Sequence, residues 1–160
     1  LQVENTLFRV SRAPFETLSP VFSDIFLQPR GANPMSILRE EGSSDDHPVV
    51  LQGYKKDDFE ALLAVINPSY ALINKSVGLT AKQWVGVLRL ASAWKMDTVR
   101  KYSIKKLSKL DLTPYEKITW AQKFRVSEWL TEGVKSIVES DSVPPLEELS
   151  LVGWETATRI

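Results

Sequence analysis

Cysteine is absent from this 160-residue chain. That removes disulfide frameworks, thiolate zinc sites and cysteine nucleophiles together. Histidine is scarce: His47 stands alone beside Asp45 and Asp46 in a polar stretch. A hydrolytic triad needs a base held against a nucleophile, and nothing around His47 builds that pocket, so it reads as an exposed or edge-strand side chain. Net charge is also lacking, with 20 basic and 20 acidic residues. A duplex-binding domain shows a basic excess, so no nucleic-acid partner is expected. No apolar run approaches the ~18 residues that span a bilayer. The opening Leu1-Gln2-Val3-Glu4 has no basic-then-apolar leader, so no membrane partner is expected and the chain reads as intracellular, cytoplasmic or nuclear. It lacks an initiator methionine and reads as an excised fragment.

Glycines are few and scattered, at positions 31, 42, 53, 78, 86, 133 and 153, and draw no phosphate-cradling loop. The acidic pairs Asp45-Asp46 and Asp57-Asp58 lack the alternate spacing and central glycine of a calcium loop. With one histidine and no cysteine, neither a metal nor a cofactor is expected, and the chain is not expected to be an enzyme. Carboxylate pairs distant in sequence stay open as a third possibility. The triplet Asn74-Lys75-Ser76 reads as a bare loop.

What is present is an ordinary globular mixture, 43% hydrophobic and 25% charged, enough for one domain with a sizeable core. Residues 1–3 and 6–10 read as two strands of a hairpin turning at Glu4-Asn5, where Asn tolerates positive φ. Leu7 and Arg9 alternate against Phe8 and Val10, the pattern of a strand with one buried face. A short helix follows around 14–18. Ser19-Pro20 then opens another, with Ser as cap, Pro at the first position and a stripe of Val21, Phe22, Ile25 and Phe26. Residues 28–46 read as a long loop, either disordered or a functional insertion. Residues 47–52 form a third strand stopped by Gly53, and 57–66 a helix with Phe59, Leu62, Leu63 and Ile66 on one face, ended by Asn67-Pro68.

A second loop runs to Leu79, and the remainder is helical. Thr80 and Gln83 form a capping box for a helix to about Lys95, apolar nearly all round and therefore central. Gly86 inside it marks a site of close approach. Asp97 caps a helix to about Leu110. Thr113-Pro114-Tyr115-Glu116 combines a capping box with proline at the first position, and Ser127 caps a further helix carrying Trp129, Leu130, Val134, Ile137 and Val138. Pro144-Pro145 begins one or two short terminal helices, and no internal repeat is visible. A few strands followed by a run of helices means an α+β fold.

Residues 6–26, with Ser11-Arg12, then Ser19-Pro20-Val21-Phe22 and a second aromatic at Phe26, resemble the early signature of the BTB/POZ family. Residues 48–63 resemble its later strand and helix. Residues 79–100, 115–130 and 154–160 look like the version found in the expanded fungal BTB-domain proteins. The resemblance implies a small three-stranded sheet surrounded by helices over residues 1–112, with a helical extension at 113–160. It implies a non-enzymatic protein–protein interaction module that associates with itself or recruits a protein partner. Ser11 stands where the family usually has His. The alternative role is a substrate adaptor for a cullin-type ubiquitin ligase. Relatives dock that scaffold through an apolar residue followed two positions later by Glu; after Phe59 that position is Ala61, and Glu60 comes one residue early.

On this reading the candidate partner-binding residues are Leu1, Val3, Phe15, Phe22, Phe59 and Trp120, an apolar patch from the hairpin and the 14–26 helices with one aromatic anchor. Of the tryptophans 84, 94, 120, 129 and 154, Trp120 lies off the apolar stripe of its helix and is the one expected outside the core. Charge is unevenly placed. Residues 81–112 hold eight basic and two acidic side chains, whereas 31–60 hold three basic and seven acidic. The basic excess is either a solvated helix face or a docking face for an acidic partner.

Overall fold

The computed structural model describes residues 1–27, 45–67 and 78–140. Its α+β chain divides into two compact units, Leu1–Ile104 and Lys105–Ile160.

In the first unit the hairpin forms, but with short strands: β1 (Gln2–Val3) pairs antiparallel with β2 (Thr6–Leu7). The left-handed residue of its turn is Glu4, at φ 52°, rather than Asn5. Longer-range bonding overrides the local preference, because the Glu4 carboxylate accepts the backbone N–H of Lys56 at 3.2 Å and its carbonyl accepts from the Gln2 side chain at 3.1 Å. The third strand, β3 (Val50–Leu51), lies parallel to β1, giving the order β2-β1-β3. Gly53, at φ 80°, turns the chain out of β3.

Helices α1 (Ala13–Leu18) and α2 (Pro20–Leu27) meet at Ser19. Its hydroxyl accepts the N–H of Phe22 at 3.2 Å, as an N-cap should, and donates to the Trp94 carbonyl at 2.6 Å. Only Phe22 of the expected α2 stripe is buried, and Ile25 is 40% exposed. The loop expected at 28–46 lies outside the described residues up to 44. Its end is clipped where the Arg9 guanidinium grips Asp45 through two of its nitrogens, Nε to Oδ1 at 3.1 Å and Nη2 to Oδ2.

Helix α3 (Lys56–Ile66) buries Phe59, Ala61, Leu62 and Leu63. It has no side-chain cap of its own, and Glu4 from the hairpin fills that role. Helix α4 (Ala81–Ala93) has the expected capping box, with the Gln83 N–H on Thr80 Oγ1 at 3.3 Å and the Thr80 N–H on Gln83 Oε1 at 2.9 Å. It is buried over most of its surface, which makes it the central helix of this unit. Gly86 is a site of close approach: a Cβ there would sit 2.3 Å from Asp58 Oδ1 and 3.2 Å from Asp58 Cα. One turn on, Arg89 Nη1 donates to Asp58 Oδ2 at 2.7 Å. Lys95, at φ 53°, reverses the chain, and Met96 N–H closes back on the Ala91 carbonyl at 2.8 Å. Helix α5 (Asp97–Leu107) starts one residue earlier than a cap at Asp97 would allow, because Arg100 N–H already bonds the Met96 carbonyl. Asp97 therefore sits in the first turn, where its charge complements the helix dipole. The helix stops at Leu107, and residues 108–110 tighten into turns instead of continuing to Leu110.

The elements described in the second unit are helices. Helix α6 (Pro114–Phe124) opens with the predicted capping box, Glu116 N–H on Thr113 Oγ1 at 3.2 Å and Thr113 N–H on Glu116 Oε2 at 2.9 Å. Arg125, at φ 55°, ends it, and Val126 N–H returns to the Ala121 carbonyl at 3.0 Å. This is the same reversal as at Lys95, a basic left-handed residue followed by a buried apolar one. Val126, and not Ser127, takes the cap position of α7 (Ser127–Val138). Tyr115 and Ile118 pack with Val134 and Ile137. Gly133 lets α7 approach α6, since a Cβ would meet Ile118 Cγ1 at 2.7 Å and the Pro114 carbonyl oxygen at 2.8 Å. Trp129 is fully buried and donates to Ser108 Oγ at 2.7 Å. The terminal helices expected after Pro144 lie outside the described residues.

Two predictions follow from these contacts. Gly86→Ala adds a methyl against the Asp58 backbone and carboxylate, an overpacking penalty of about 1–3 kcal/mol offset by up to ~1 kcal/mol of helix propensity. Urea denaturation should show a net loss of stability that shrinks in an Asp58→Ala background; an unchanged midpoint contradicts the close approach. The Arg9 hydrogen bond holds the Asp45 carboxyl below its ordinary value. A depressed carboxyl favours the folded chain above the ordinary aspartate value and loses that contribution as pH falls through the folded one. NMR titration of the Asp45 side chain should give a midpoint below ~3.9, returning toward it in Arg9→Gln.

Candidate interaction surface

Side-chain alternation across the sheet sorts its residues into two rows. Val3 and Leu51 point inward and are buried. The register pairs Gln2 with Leu7 on one side and with Val50 on the other, so Leu7, Gln2 and Val50 form one row across all three strands. Leu7 is 48% exposed and Val50 51%. Arg9 and Gln52, each two residues further along, are exposed and share that parity. The outer face of the sheet is thus two open apolar side chains with a polar surround, the composition of a small contact patch.

The aromatic residues behind it are closed to solvent. Phe8 meets Phe59 edge-on with centroids 4.9 Å apart. Phe15 lies 5.0 Å from Phe22 and 6.0 Å from Phe59, and Trp94 takes Phe22 at 4.9 Å and Tyr54 at 5.0 Å. Val3, Phe15, Phe22 and Phe59, read from the sequence as partner-binding, are therefore core residues. Hydrophobicity ranked them highest, and for the same reason the fold takes them inside. Leu1 is half-buried; its amino group donates to the Phe8 carbonyl at 3.0 Å, and it lines a cleft of about 40 Å³ with Arg12, Phe15, Phe26 and Val49. Trp120 is half-buried on α6, and Trp154 lies outside the described residues. Phe59 and Ala61 are both buried. Leu7 and Val50 were missed, although one signal was present: Leu7 sits on the Arg9 side of its strand's alternation.

A second apolar surface runs along one side of α7, where Leu130, Val134 and Val138, a helical turn apart, line a groove of about 520 Å³ with Thr131, Lys135 and Glu139. Among the described residues its lining comes from α7 and the Glu139 cap at its end, with few converging polar groups. Its charged pair, Lys135 and Glu139, is joined at 3.7 Å.

Several polar groups of the described residues are engaged within the fold. The buried hydroxyls of Ser19 and Ser103 bond backbone carbonyls, Ser103 to Val99 at 2.8 Å. His47 is exposed at the approach to β3. Asp58 is committed to Arg89, whose Nε is buried without a partner, as is Ser92 Oγ one turn further along α4. Among the described residues no group of three or more His, Cys, Asp or Glu is placed to hold a metal ion, and no helix is long and apolar enough to cross a membrane.

No protein-family model, no curated protein and no solved structure matches this chain.

Proposed function

We propose that this chain is a non-enzymatic protein–protein interaction module of the BTB/POZ type, which associates with itself or recruits a protein partner through the outer face of its small sheet. The observation that carries this reading is the Leu7–Gln2–Val50 row, two apolar side chains held open on a sheet whose other face buries Val3 and Leu51 in the core. The BTB-like stretches at 6–26 and 48–63 support it, since they fall on the hairpin, the α1–α2 pair, β3 and α3. The burial of Phe59 and Ala61 gives no support to a cullin-adaptor role, and we do not extend the proposal to it.

The energetics bound the strength of association. Fully burying a Val or Leu side chain contributes about 1.5–3 kcal/mol, and these two are already half covered, so together they add about 2 kcal/mol. Association loses about 4–15 kcal/mol of rotational and translational freedom. The row is thus an anchor within a larger contact, and binding through it should be weak and reversible.

Phe22 is unsuitable as a test position because its loss would unfold the core. Leu7→Glu with Val50→Glu leaves the core intact. Light scattering coupled to size exclusion, over a range of concentrations, should show association in the parent chain and a monomer in the double variant. Unchanged association in the folded variant removes this face as the contact.

A further inference from the structure

Helix α5 is amphipathic in charge as well as in hydropathy. Val99, Ser103 and Leu107, spaced by four, are buried. Its other side exposes Thr98, Lys101, Tyr102, Lys105 and Lys106, and the turn beyond it exposes Lys109. Lys101 and Lys105 are four residues apart on the helix and so face each other as like charges, an arrangement that weakens a helix. Ion pairs engage Arg9, Lys56, Arg89, Lys117 and Lys135, and among the described residues none reaches Lys101, Lys105 or Lys109. Tyr102 lies in the same face, 45% exposed, with its ring braced edge-on by the buried Trp84 at a centroid distance of 5.7 Å. The result is a cationic face around one positioned aromatic ring, in which Lys101, Lys105 and Lys109 have no ion-pair partner among the described residues.

We propose that this face of α5 docks an acidic peptide segment of another protein, with carboxylates on Lys101 and Lys105 and an apolar side chain against Tyr102. Charge complementarity selects the partner. A ligand that brings carboxylates between the two lysines relieves a repulsion that the free helix sustains. The chain as a whole has no basic excess, and nucleic-acid binding draws on the summed charge of a domain as well as on a local patch, so an acidic polypeptide fits better than a polynucleotide. The inference rests on reading the chain as an interaction module but uses a different surface from the sheet, so the two fail separately.

Fluorescence anisotropy on the full chain tests it, with a labelled glutamate-rich peptide carrying one central leucine as the probe. Binding should weaken by about tenfold between low and physiological salt, as screening of exposed charges requires, and by at least about tenfold in Lys101→Glu/Lys105→Glu. The neutral pair Lys101→Gln/Lys105→Gln, which removes the repulsion and cannot unfold the helix by charge, should fall between the two. Tyr102→Ser should weaken the leucine-bearing peptide and leave an all-glutamate peptide unaffected. Equal affinity in both lysine variants overturns the proposal. So does tighter binding of a DNA or RNA oligonucleotide than of the peptide, or loss of self-association in the lysine variants, which would make a second copy of the chain the occupant.

Discussion

The first unit depends on an aromatic cluster assembled from five separate elements. Phe8 follows β2, Phe15 and Phe22 come from α1 and α2, Phe59 from α3, and Trp94 ends α4. Phe59 touches three of the other four rings and is fully buried. A sheet with two paired residues in each strand is too small to hold itself together, so its position is set by the rings beneath it. Ser19 ties this apolar contact to the backbone, capping α2 and reaching the carbonyl of Trp94 with the same hydroxyl. Loss of any one ring would expose the others, because aromatic side chains carry the largest buried area per residue.

Polar contacts of long sequence separation then close what the cluster leaves open. Glu4 caps α3 across the sheet, Arg9 holds Asp45, and Asp58 lies on Gly86 while paired with Arg89. Exposed pairs such as Arg9–Asp45 contribute little to stability, and their role is to choose a geometry. Asp58 shows this best: its carboxylate occupies space that a glycine in α4 leaves open, and it bonds Arg89 from the same position.

The helical elements were the most legible in the sequence. Both capping boxes, the Ser19-Pro20 start and the close approach at Gly86 are where the pattern put them, since each depends on residues within one turn or on a missing side chain. Positions depending on competition between neighbours were not legible. Asp97 and Ser127 look like caps, yet each is preceded by a left-handed basic residue and an apolar one, Lys95-Met96 and Arg125-Val126, and that closure takes the cap position first. The recurrence of this device was invisible as a repeat because it is a backbone conformation shared by different side chains. The surface was misread for a related reason. The most hydrophobic residues drew attention as contacts, whereas parity in the strands left the less conspicuous Leu7 and Val50 outside.

By itself the sequence determined the α+β class, the order of the described elements, both capping boxes and the Ser19 cap, because periodicity and capping are local chemistry. Only the tertiary structure decided that Phe15, Phe22 and Phe59 are core and Val50 is surface, that Glu4 bears the turn strain, and that among the described residues no acidic group pairs with Lys101 or Lys105. Those outcomes turn on which groups distant in the chain come within a few ångströms of one another. Burial and electrostatic compensation are properties of that arrangement, and no window of neighbouring residues contains them.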